Sequence, residues 1–107
     1  MALIPAAHDR KAAMTPREEL AKMHLKSAFR WRGCFVSDPV EAIAVAVSWG
    51  PNRMVLRVAG GKWSREDPTV PGRLVAVGDV GEEDAIARRL TPELTDRKRG
   101  PKYAAIR

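Results

Sequence analysis

The longest helical pattern begins at Thr15. Thr15-Pro16-Arg17-Glu18 has the form of a capping box with proline at the first helical position. A helix is predicted from Pro16 to about Trp31, where Gly33 can end it. At 100° per residue, Leu20, Ala21, Leu25, Ala28, Phe29 and Trp31 share one broad face, with Met23 at its margin and His24 and Ser27 inside its arc. Lys22, Lys26 and Arg30 recur at i, i+4 and i+8 and form a basic stripe on the opposite side.

Ser37-Asp38-Pro39-Val40-Glu41 reads as a second helix start, with Asp38 as cap and Glu41 completing the box. Residues 42–49 follow, rich in alanine, and Gly50-Pro51 stops them. The stretch AIAVAVSW also alternates, which admits a strand, but the cap and the stop favour a buried helix. Asn52 to Ala59 alternates strictly, with Met54, Leu56 and Val58 on one face and Arg53, Val55 and Arg57 on the other. Gly60-Gly61 suits a two-residue hairpin loop, because both residues tolerate positive φ. The returning strand Lys62-Trp63-Ser64-Arg65 then sets Trp63 opposite Val58. After a loop with two prolines, Arg73 to Val77 predicts a third strand. Glu82 to Leu90 predicts a last helix, with acids in its first turn and arginines in its last. Thr91-Pro92-Glu93 can begin one further turn.

The expected architecture is α+β: a small three-stranded antiparallel sheet packed by two or three helices in the order α-α-β-β-β-α. The expected organisation is a flexible arm at 1–14, one domain at 15–95 and a basic tail at 96–107.

Composition narrows the class. The chain has 107 residues, 45% apolar and 30% charged, which is ordinary globular composition. No apolar run approaches the ~20 residues of a membrane-spanning helix, so no membrane partner is expected. Cys34 is the sole cysteine, and MALIPAAHDR does not read as a secretory signal. Both point to a reducing cytoplasm.

Charge adds a direction. Nineteen Lys and Arg against thirteen Asp and Glu give a formal net charge of +6. Residues 1–36 contribute +4 and residues 91–107 contribute +3, while the middle is neutral or slightly acidic. Such a surplus favours anionic partners: DNA or RNA, or an acidic or nucleic-acid-bearing protein complex. Three basic groups are candidates for phosphate contact. The first is Lys22, Lys26 and Arg30 with nearby Arg32. The second is Arg53, Arg57 and Lys62 on one sheet face. The third is Arg97, Lys98, Arg99 and Lys102 in the tail. Trp31 and Tyr103 can supply stacking.

Catalytic and metal chemistry find little footing. His8, His24 and Cys34 show no metal-ligand spacing. Cys34 beside Phe35 and Val36 reads as a small buried hydrophobe. Gly78-Asp79-Val80-Gly81 precedes a helix, but Glu82, Glu83 and Asp84 would repel phosphate. No enzyme, metal or cofactor is expected. The expected role is a non-catalytic module that binds nucleic acid, with a protein-binding inhibitor or adaptor as the alternative.

One segment resembles a known family. Ser37-Asp38-Pro39, an alanine-rich helix, Trp49-Gly50-Pro51-Asn52, then Met54-Val55-Leu56 and a glycine turn is similar to the helix-to-hairpin segment of small phage-encoded anti-CRISPR proteins. It covers about a quarter of the chain. The resemblance implies an inhibitor, from a phage or other mobile element, that occupies a surface of a CRISPR complex without catalysis. It assigns no functional residue. The basic balance departs from the nucleic-acid mimicry of acidic members, so the implied target is an acidic or nucleic-acid-bearing surface.

Overall fold

A computed structural model describes residues 14–96. The chain runs α1 (Pro16–Trp31), β1 (Phe35–Ser37), β2 (Ala44–Trp49), β3 (Asn52–Ala59), β4 (Lys62–Glu66), β5 (Leu74–Asp79) and α2 (Glu83–Thr95). The five strands form one antiparallel meander in sequence order. Both helices lie on one face of it, in contact with each other.

This corrects the expected three-stranded sheet with the order α-α-β-β-β-α. Residues 44–49 are a strand, not a helix. The Asp38 box serves a turn, and Gly50-Pro51 is the loop of a hairpin that pairs Trp49 with Asn52. The alternation in AIAVAVSW was the deciding signal. It is muted because both faces are covered: Val45 and Val47 face the helices, while Ala44 and Ala46 on the other face are also buried. Ala44 lies opposite Arg57, and Ala46 lies between Ser37 and Val55, so neither small side chain clears its neighbours. The three-residue β1 is too short to show an alternation in the sequence.

Other expectations match the structure. Thr15 and Glu18 form both halves of the capping box. Trp63 pairs with Val58 across the Gly60-Gly61 hairpin. The last helix extends beyond Leu90 and passes through Pro92 to Thr95. Pro92 removes one N–H late in the helix, and the helix ends a turn later.

The core joins Leu25 and Phe29 of α1, Ile86, Leu90 and Leu94 of α2, and Val45, Val47, Leu56, Val58 and Trp63 of the sheet. Trp63 is fully buried, and its indole N–H donates to the Glu83 carboxylate at 2.9 Å. The same carboxylate accepts from the Gly81 amide. Gly78 lets α2 approach β5: a Cβ there would lie 2.7 Å from Cγ1 of Ile86. The sequence between Gly78 and Gly81 is thus a packing and turn device, with Gly81 at φ 106°. No helix among the described residues is long and apolar enough to cross a membrane.

Candidate nucleic-acid interface

The outer face of the sheet carries no helix. Its side chains follow from the register. One row holds Phe35, Ser48 and Arg53, and the next holds Ser37, Ala46, Val55, Glu66 and Leu74. Phe35 is 70% exposed and Arg53 is exposed. Val55, Arg57, Glu66, Gly72 and Leu74 line an open hollow of about 460 Å³ on this face.

The structure divides the candidate cations into engaged and open groups. On α1, Lys26 lies 2.8 Å from Asp38. Lys22 lies 3.6 Å from the same carboxylate and donates to the Ala42 carbonyl at 2.8 Å. These two lysines therefore hold the connection between β1 and β2. The hydrogen bond from Lys26 and the charge of both lysines draw the Asp38 carboxyl below its usual range. Arg32 lies 3.8 Å from Asp84. On the sheet, Arg57 pairs with Glu41 and Lys62 with Asp79 at 2.9 Å. Asp79 raises the Lys62 ammonium through its hydrogen bond and its charge. Arg30 and Arg53 are exposed and make no ion pair among the described residues. Trp31 is exposed, in line with its place at the helix end among arginines.

Arg97, Lys98, Arg99, Lys102 and Tyr103 fall outside the described residues, as do all but the last residue of the expected arm and all but the first residue of the expected tail. Their charge is still informative. Residues 14–96 hold twelve Lys and Arg against twelve Asp and Glu, so the described body is formally neutral. Residues 97–107 hold five Lys and Arg and no acid.

The fold gives this segment a position of origin. The Asn52 amide, at the β2–β3 hairpin, donates to the carbonyl of Leu94 at 2.5 Å. The last turn of α2 therefore abuts the end of the sheet that carries Arg53, Phe35 and Trp49. Trp49 is 36% exposed at that hairpin. At that end Phe35 and Arg53 share a row on the outer face, while Trp49, whose register partner is the buried Asn52, lies on the helix-bearing face. Sequence reasoning missed Phe35, because a three-residue strand leaves no period to read. Trp49 ends its strand at a solvent-facing turn.

The residues weighed for chemistry fall in separate settings. Cys34 is buried, and burial pushes its thiol up despite a hydrogen bond with Thr91 and the nearby charge of Arg32. His24 is exposed on α1. Among the described residues, no group of three or more His, Cys, Asp or Glu side chains is placed to hold a metal ion. Compared with protein-family models, curated proteins and solved structures, the chain matches none.

Proposed function

We propose that this protein is a non-catalytic module that binds nucleic acid through residues 97–107, with Phe35 and Arg53 on the outer face of the sheet as a flanking platform. The observation that carries this reading is the segregation of charge: a neutral body and a segment with five cations and no acid. Phosphate contact requires cations that are not already paired. Lys22, Lys26, Arg57 and Lys62 are engaged within the body, whereas Arg53 is open. Stacking on an exposed aromatic is tolerant of base identity, so the expected ligand is single-stranded and weakly sequence-selective.

The test is fluorescence anisotropy of labelled single-stranded DNA, RNA and duplex DNA at several salt concentrations. Five phosphate contacts on a single strand correspond to a log–log salt slope of roughly −3.5. Ending the chain at Asp96 should abolish binding, and Arg53→Glu should weaken it several-fold. Salt-independent binding, or full affinity after the truncation, overturns the reading.

The second reading is a protein-binding inhibitor or adaptor, as the anti-CRISPR resemblance implies. What favours it is the exposed apolar edge at Leu74 and Val75 on β5, which can accept a partner strand. A stable complex with a protein after nuclease treatment would support it.

A further inference from the structure

The end of α2 is fastened by a side chain from another element. The last four carbonyls of a helix have no partner within it. α2 brings no basic side chain to its last turn, and no glycine follows it at the stop. The Thr95 hydroxyl donates to the Thr91 carbonyl at 3.1 Å. The Asn52 amide, from the β2–β3 hairpin, donates to the Leu94 carbonyl at 2.5 Å. Asn52 is thus a cap supplied across the fold, from 42 residues away in the sequence.

That cap is costly. Asn52 is 4% exposed, and its Oδ1 is buried without a hydrogen-bond partner among the described residues. The Leu94 carbonyl fixes the orientation of the amide, because a flip would set Oδ1 against another oxygen. A buried acceptor without a partner lowers stability, and an apolar side chain of similar shape would avoid that loss. Local rules of this kind are broken chiefly at functional sites.

The position of the cap shows what it achieves. Arg53 follows Asn52 directly. Adjacent residues of a strand project to opposite faces, so Arg53 stands on the outer face, in the row of Phe35. Arg97 comes three residues after Leu94. Three residues reach at most about 11 Å. The bond between Asn52 and Leu94 therefore ties the first cation of the basic segment to the hairpin that carries Arg53.

We infer that Asn52 is a positioning residue: it holds the root of residues 97–107 beside Arg53, so that one single strand engages both at once. This role rests on the nucleic-acid reading and adds a requirement to it, a short tether between the two cationic parts. Two linked contacts with one ligand reinforce each other through effective concentration, which falls roughly as the −3/2 power of tether length.

The test is anisotropy of labelled single-stranded DNA with three full-length chains, each with and without Arg53→Ala. The chains are the wild type, Asn52→Leu, and one with about nine Gly and Ser residues inserted between Asp96 and Arg97. The insertion lengthens the tether from three residues to about twelve, which lowers the effective concentration about eightfold. It also leaves the Asn52–Leu94 bond in place, so it decides the matter if Asn52→Leu fails to fold. In the wild type, Arg53→Ala should cost several-fold in affinity. Asn52→Leu and the insertion should each weaken binding several-fold, and Arg53→Ala should then cost under about twofold more, the non-additivity expected of coupled parts. A merely structural cap would shift the unfolding midpoint and leave the cost of Arg53→Ala unchanged. An undiminished cost of Arg53→Ala in a folded Asn52→Leu chain or in the insertion chain overturns the positioning role and leaves the nucleic-acid reading standing. Full affinity in a chain that ends at Asp96 overturns that reading, and the positioning role with it.

Discussion

The two faces of the sheet are built from the same strands and differ in almost every physical respect. On the inner face, Val45, Val47, Leu56, Val58 and Trp63 are essentially sealed from water, and the Trp63 indole has its partner in Glu83. On the outer face, Phe35 and Leu74 stand in solvent, while Arg57 and Lys62 turn to Glu41 and Asp79. One face is thus constrained by packing and the other is free to vary. Substitutions should separate stability from binding along that division.

Removal of Trp63 should break the inner face. Trp63→Ala leaves a large cavity and strips the Glu83 carboxylate of its indole donor, so a loss of about 3–5 kcal/mol is expected in denaturant unfolding. Gly78→Ala approaches the same face from the backbone. Its new methyl group meets Ile86, and the overpacking should cost about 1–3 kcal/mol, read from the same transition. A Trp63→Ala variant as stable as the parent would show that the inner face is not the core.

Acid should weaken the periphery. Asp67 accepts from the Thr69 backbone amide and hydroxyl and pairs with Arg73, and these interactions lower its carboxyl, as Lys26 and Lys22 lower that of Asp38. Both contributions are fully present above the ordinary carboxylate value of about 3.9 and are lost as pH falls through the lowered folded values. The melting temperature should therefore drop below about pH 4, and Asp38→Asn should reduce that drop. Lys26→Ala, at the partly exposed partner of Asp38, should cost under about 1 kcal/mol.

The smallest effect on stability is expected outside. Phe35→Ala and Arg53→Ala should change unfolding by no more than about 0.5 kcal/mol. Their signature should be a several-fold loss of single-strand affinity at unchanged melting temperature. A large destabilisation from either would erase the distinction between the faces.

The parts legible in the sequence are those where one signal stands alone. Thr15 and Glu18 mark the start of α1, and strict alternation with a glycine pair fixes the β3–β4 hairpin and the partner of Trp63. Residues 42–49 misled because helical cues, namely alanines, an Asp-Pro start and a Gly-Pro stop, coincide with a strand buried on both sides. Tertiary packing decided between two locally acceptable states. The candidate cations were legible as residue types. Their neutralisation was not, because Asp38, Glu41 and Asp79 reach them only through the fold. A count of charges along the chain spreads the surplus over both ends. Residues 14–96 are formally neutral, so most of the surplus falls in residues 97–107.

The meander and the two helices imply different folding times. Each strand pairs with its immediate successor, so the sheet is assembled from short loop closures. The helices are the first and last elements of the described chain, yet they pack on each other. During synthesis, hairpins can form as they emerge, but the apolar side of α1 waits for α2. Leu25 and Phe29 are among the first core residues made, and they remain uncovered on one side until the chain has been extended to Leu94. The interval between those two events is when the nascent protein is most exposed to association with the wrong surface.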